Sequence, residues 1–239
     1  MKKIIITSLV VLSALLNGNA STWTNNGGGG DNLSSTATNW SGGSGNPTDV
    51  IEIGITGDYD TAPEGILMLA NGGNDYTLSQ LVVNMGIGGY IMSDAGEALV
   101  IGAGGIINNG IGLVMESGVK TTVAQTWNLG SGAFDFKGKL EINSAVTINL
   151  SSGGTVNFSA SGSNPGWSGS LNFVGTFDIG AVTVTGSALT EQNLSNITFN
   201  GHAVERVGSA LVEVIPEPAV TDALLGALAL LGVFIRRFR

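Results

Sequence analysis

The chain has 239 residues, 38 of them Gly, with one His, no Cys, 43% hydrophobic and only 11% charged residues. That length allows one domain or two small ones, and low charge with abundant Val, Ile and Leu excludes the disordered class. The formal charge of −9 is concentrated in the body, where Ser21 to Ile215 holds 16 acidic residues against Lys120, Lys137, Lys139 and Arg206; this excludes nucleic-acid binding, as the lack of Cys excludes disulfides and thiolate metal sites.

Residues 1–20, MKKIIITSLVVLSALLNGNA, carry Lys2 and Lys3, then an apolar stretch of 13 residues from Ile4 to Leu16, then Gly18 and Ala20 at small-residue positions. This order predicts a secretory signal peptide cleaved between Ala20 and Ser21, rather than a buried N-terminal helix or a membrane span. Export through the Sec machinery is the implied route. Residues 21–49 form a Gly/Asn/Ser-rich leader or N-terminal cap whose large apolar groups are Trp23, Leu33 and Trp40.

Residues 50–214 alternate short stretches of Val, Ile, Leu and Phe with Gly, Asn and Ser. Strands are predicted at Val50–Ile55, Tyr76–Val83, Ala98–Ile101, Ile111–Met115, Val146–Leu150, Thr155–Phe158, Ser170–Val174 and Val182–Thr185. Period-two alternation is plain in Phe134-Asp135-Phe136-Lys137 and Leu140-Glu141-Ile142-Asn143. No stretch of 12 residues keeps a 3.6-residue apolar period, so the body is expected to be all-β. A β-sandwich and a parallel β-helix (solenoid) compete. Short strands and recurrent Asn in the predicted turns (Asn71, Asn74, Asn84, Asn108, Asn109, Asn128, Asn143, Asn149, Asn157) favour the β-helix. At roughly 20 residues per coil, the low end for structural repeats, the body makes about eight coils. Near its end, Thr190-Glu191-Gln192 is expected to open one helical turn capped by Thr190 or Ser187. A strand at Ile197–Phe199 and a hairpin of His202–Val207 with Ala210–Val214 are expected to close the domain.

Trp23, the glycine run before Asp31-Asn32 and Asn39-Trp40-Ser41-Gly42-Gly43, continued by Ala98–Asn109 and Gln125–Gly132, resemble autotransporter-associated β-strand-repeat proteins. The resemblance implies a right-handed parallel β-helix at a bacterial surface. Nothing after Val214 reads as an autotransporter barrel, so self-secretion is not implied.

Residues 215–239 contain Pro216, Glu217 and Pro218, an apolar run at 219–235 and a basic tail of Arg236, Arg237 and Arg239. Seventeen residues reach ~26 Å as a helix, close to a hydrocarbon core, and the arginines favour the cytoplasmic side. This order resembles the PEP-CTERM sorting signal of Gram-negative bacteria, with Asp222 and Phe238 as mild departures. In that family the Pro-Glu-Pro motif is recognised by an exosortase while helix and tail hold the precursor in the inner membrane. The resemblance implies delivery to the cell surface or to extracellular polysaccharide. The sequence around Trp167–Leu171 and Ile197–Gly201, placed before the Pro-Glu-Pro motif, resembles a C-terminal region of such sorted proteins.

Candidate chemistry in the body is thin, and no cofactor is implied. Asp58 with Asp60, and Asp94 with Glu97, are the carboxylate pairs for glycoside hydrolysis; Lys120, Lys137, Lys139 and Arg206 are the candidate bases of a lyase, with Lys137 and Lys139 on one strand face. Asp58-Tyr59-Asp60, Asn74-Asp75 and Gly28–Asp31 come nearest to a calcium cluster without matching a calcium loop. Gly86–Gly89 and Gly102–Gly105 lack the helix a phosphate loop needs. His202 has no partner at useful spacing, and Trp23, Trp40, Trp127 and Trp167 are either core or cap residues or sugar-stacking platforms. The reading is an exported, non-enzymatic surface or matrix protein, structural or adhesive, with extracellular polysaccharide as a candidate partner. A small carbohydrate-active enzyme or a glycan-binding module is the alternative.

Overall fold

The computed structural model describes residues 21–23, 45, 48, 50–54, 66–69, 71–84, 89–93, 96–161, 164 and 166–214. In chain order the strands begin with β1 (Ser21–Trp23), β2 (Val50–Gly54), β3 (Ile66–Leu69), β4 (Tyr76–Asn84), β5 (Gly89–Ser93) and β6 (Ala98–Asn108). The central coils contain β7 (Gly112–Met115), β8 (Gly118–Thr121), β9 (Gln125–Gly130), β10 (Ala133–Phe136), β11 (Leu140–Ile142), β12 (Val146–Leu150) and β13 (Thr155–Phe158). The chain then forms β14 (Leu171–Val174), β15 (Val182–Val184), helix α1 (Glu191–Ser195), β16 (Ile197–Phe199), β17 (His202–Val207) and β18 (Ala210–Glu213).

These strands stack into a three-faced β-solenoid. The first face is a parallel ladder running β1, β2, β4, β6, β9, β12, β14, β16. The second is a parallel ladder running β3, β5, β7, β10, β13, β15. The third joins the N-terminal halves of β4 and β6 to β8 and β11. Parallel stacking removes the sandwich alternative, because among the described residues antiparallel pairs occur only where β17 and β18 meet each other and β15 and β16. The solenoid makes about 5 turns rather than the eight expected, matching the steps along the second ladder. The coils are longer than 20 residues: the register advances by 21 from Trp127 to Ile148 and by 30 from Ile51 to Leu81.

Alternation fills the interior. On β9, Gln125, Trp127 and Leu129 are buried while Thr126 and Asn128 are exposed. In register, Ile51, Leu81, Ile106, Trp127, Ile148, Phe173 and Phe199 form one inward column along the first face, all buried. Each such side chain contributes about 1.5–3 kcal/mol by leaving water. Aromatic rings bridge the faces: Trp127 stacks on Phe136 at 5.7 Å and Phe136 on Phe158 at 5.9 Å. Phe158 meets Phe173 edge-on at 6.4 Å, and Phe173 meets Phe199 at 5.5 Å.

Corners require glycine where coils touch. A Cβ on Gly138 would lie 1.9 Å from the Ser117 carbonyl oxygen of the previous coil. Gly105, at φ +65°, bends β6 from the third face to the first, and its Cβ would fall 2.0 Å from the Thr126 oxygen. Ala98–Ile101 is therefore only the first part of β6, and the glycines after it make a bend inside a strand. Asn84, Asn108 and Asn128, expected in turns, likewise lie on strands, as do Asn149 and Asn157, which fall inside the expected strands Val146–Leu150 and Thr155–Phe158.

Candidate functional site

Three arrangements hold the polar side chains. On the third face, Asp75 Oδ1 accepts from the Ala98 N–H at 3.0 Å and Oδ2 from Lys120 Nζ at 2.7 Å. Lys120 Nζ also lies 3.9 Å from Glu141. The Lys120 hydrogen bond holds the Asp75 carboxyl below the usual carboxylate range, against a smaller opposing effect of burial. The same bond raises Lys120. A cation at Asn74-Asp75 would have to displace this ammonium; the Asn74 amide itself is turned to the Asn71 and Gly72 carbonyls. Glu97 is 3% exposed. Its carboxylate accepts from the backbone N–H of Asn71 and Gly73 and from Ser93 Oγ, at 3.3, 3.0 and 2.7 Å. It fastens the turn before β4 rather than facing a cleft. Lys137 and Lys139 flank Gly138 in the corner between β10 and β11, so they do not share one strand face. Lys137 pairs with Glu116 at 3.0 Å.

Two interior amides replace backbone. Asn164 is 4% exposed; its Oδ1 accepts from Leu140 N–H at 2.6 Å and its Nδ2 donates to the Ala188 carbonyl at 2.6 Å. It continues the third face where strand pairing stops after β11. Gln125 donates to the Ile101 carbonyl at 2.9 Å and accepts from Trp127 Nε1 at 2.7 Å. Trp167 Nε1 donates to the Leu140 carbonyl at 2.7 Å. Trp127 and Trp167 are core, only 0% and 2% exposed, and offer no platform to a sugar.

The outward side of the first face differs in character. In register along it stand Gln80, Gly105, Thr126, Thr147, Asn172 and Thr198 in one column, with Ile107, Asn128, Asn149 and Val174 beside them. Asn149 Nδ2 donates to Asn128 Oδ1 at 2.6 Å, and Thr198 Oγ1 to Asn172 Oδ1 at 2.7 Å. Nothing in the sequence marked this surface except the polar member of each alternating pair.

At the C-terminal end, Arg206, considered above as a base, is a fastener. Its guanidinium donates to the carbonyls of Gly208, Gly186 and Val184 at 2.9, 2.8 and 3.1 Å. His202 lies 3.8 Å from Glu213 and is exposed on the same hairpin. Among the described residues, no three His, Asp or Glu gather to hold a metal, and no helix is long and apolar enough to cross a membrane. Asp58, Asp60, Asp94, Gly28–Asp31, Gly86–Gly88, Trp40, Ala20, Pro216, Glu217, Pro218, Arg236, Arg237 and Arg239 lie outside the described residues; Ser21 opens β1, and Trp23 is described by its backbone alone. Comparison with protein-family models, curated proteins and solved structures finds no match.

Proposed function

We propose that this is an exported, non-enzymatic surface or matrix protein that acts through the shape and surface of its solenoid. The observation that carries this reading is the pairing of the signal sequence ending at Ala20 with the Pro216-Glu217-Pro218, apolar run and arginine order at 216–239. An exosortase recognises the motif while the apolar run 219–235 holds the precursor in the inner membrane, its arginines on the cytoplasmic side. The product is structural or adhesive and belongs to the cell surface or its polysaccharide. A chain beginning at Ser21 keeps the whole of β1, whose three residues pair with Ile51, Glu52 and Ile53. Right-handed winding is the sense that nearly all parallel crossovers take. The dispersal of charged groups into ion pairs and backbone contacts favours a scaffold over the enzyme alternative.

Replacing Pro216, Glu217 and Pro218 by alanines in the producing organism tests the sorting step. The expected result is full-length precursor retained in the membrane fraction and depleted from the surface and medium. In the unsubstituted protein, N-terminal sequencing should begin at Ser21. Release at the original level by the alanine variant would refute exosortase sorting, and a different N-terminus would refute the cleavage site.

A further inference from the structure

We infer that the outward side of the first face binds an extended, uncharged polysaccharide lying along the solenoid axis. This deepens the adhesive reading, and rests on it for the polymer to be within reach.

The first ground is charge. From Glu97 to Thr198 the charged residues are Glu97, Glu116, Lys120, Asp135, Lys137, Lys139, Glu141, Asp178 and Glu191. Lys120 and Glu141 are on the third face and Asp135 on the second; the others occupy corners, loops or α1. None stands on the first face, where Glu52 on β2, in register with Val82, Ile107 and Asn128, bounds the strip at its N-terminal end. In an acidic body this leaves a neutral strip without a cation to attract an acidic polymer. The second ground is free hydrogen-bonding capacity. Thr126 and Thr147 make no side-chain hydrogen bond among the described residues. The Asn128–Asn149 contact uses only one amide hydrogen and one oxygen, leaving the Asn128 NH2 and the Asn149 carbonyl oxygen for a ligand. Sugar hydroxyls both donate and accept, which suits such a mixed surface.

The third ground is shape. Two shallow grooves of about 420 and 460 Å3 share Ile107 and Asn128, so they run into one another across this face. Ile107 and Val174 supply aliphatic contacts for the C–H faces of pyranose rings. Parallel rungs repeat at ~4.8 Å, close to the length of one hexose in an extended chain. Successive rungs therefore meet successive sugars, and the repeat of one polar group is carried by Thr126 with Thr147 and by Asn128 with Asn149.

The test is affinity electrophoresis of the full chain, purified in a sugar-free zwitterionic detergent, through gels containing hydroxyethylcellulose, galactomannan, dextran or alginate. Retardation is expected in at least one neutral polymer and not in alginate. The double variant Thr126→Glu/Thr147→Glu should bind roughly tenfold more weakly, about the loss of one or two hydrogen bonds, and Asn128→Ala should weaken binding in the same gel. Lys139→Gln, on a corner, should bind as the original does. Circular dichroism on every variant separates lost binding from lost fold. No retardation in any neutral polymer, retardation in alginate alone, or undiminished binding by a folded double variant would overturn the inference. None of these results bears on sorting, which is read from the membrane fraction.

Discussion

Asn164 does with one amide what a strand does with its backbone. It accepts from Leu140 on one side and donates to Ala188 on the other, both at 2.6 Å. Asn164→Ala would leave a buried N–H without its acceptor and remove a donor from the Ala188 carbonyl, which still accepts the Asn164 N–H. A buried group deprived of its partner costs about 1–3 kcal/mol, so a loss of about 1–3 kcal/mol is expected in urea unfolding. Asp75 and Lys120 act on a smaller scale, because their side chains are 37% and 35% exposed and such pairs contribute at most about 1 kcal/mol. Lowering the folded pKa of Asp75 gives stability that is present above the ordinary carboxylate value, about 3.9, and lost as pH falls through the folded value. Raising Lys120 gives stability present below about 10.4 and lost above it. Asp75→Asn should therefore flatten both limbs of a melting-temperature profile against pH while changing its neutral region by under ~1 kcal/mol. A profile as steep as the original below pH 4 would contradict this.

Among the elements, β12 and β13 have the residue bounds that alternation predicts, because β-branched or aromatic side chains alternate with polar ones between clear turn residues. Helix α1 was legible for a different reason. Thr190 accepts from the Asn193 N–H while the Asn193 side chain accepts from the Thr190 N–H, a reciprocal cap that short polar residues at this spacing allow. Thr190→Ala should cost about 1 kcal/mol, read as a lower urea midpoint at unchanged slope. Other elements were hidden. Ile66–Leu69 is an unbroken apolar run without alternation, and Gly118–Thr121 is four residues beginning with Gly and containing Lys. Both are strands because neighbouring coils supply the ladder, which no local pattern encodes. Glycines cut β6 short in the sequence reading for the same reason: Gly102, Gly104 and Gly105 signal a turn locally, while β4 pairs with Ile101 and Gly105 on either side of an irregularity that takes up Gly102 and Gly104. The neutral strip was legible residue by residue, as outward Thr and Asn, but its continuity follows only from the register.

On the scale of the whole molecule, the solenoid ends in a change of strand direction. β17 turns antiparallel to β16, β18 pairs with β17, and Leu211 is 1% exposed. An open last coil would present unpaired backbone to a second chain. Leu211→Asp should unseat this hairpin by burying a charge. Concentration-dependent self-association beyond that of the unsubstituted chain is expected in analytical ultracentrifugation; a folded variant that stays at the original mass would show that the hairpin does not guard the end. The number of coils was not legible, because the 20-residue figure describes a minimal repeat and this chain inserts residues at its corners. The second ladder fixes the count.

The same hairpin sets how the protein yields to a pull. Val214 donates to the Ala203 carbonyl at 2.8 Å at the open end, with the tight turn at Gly208 and Ser209 at the other. Tension applied through residue 214 therefore meets one bond at a time and peels β18 away, whereas loading all of them together would resist as a block. Once the hairpin opens, each coil is gripped chiefly by its neighbours. The molecule would lengthen under load in coil-sized steps, giving a sawtooth trace in which the weakest tooth comes first.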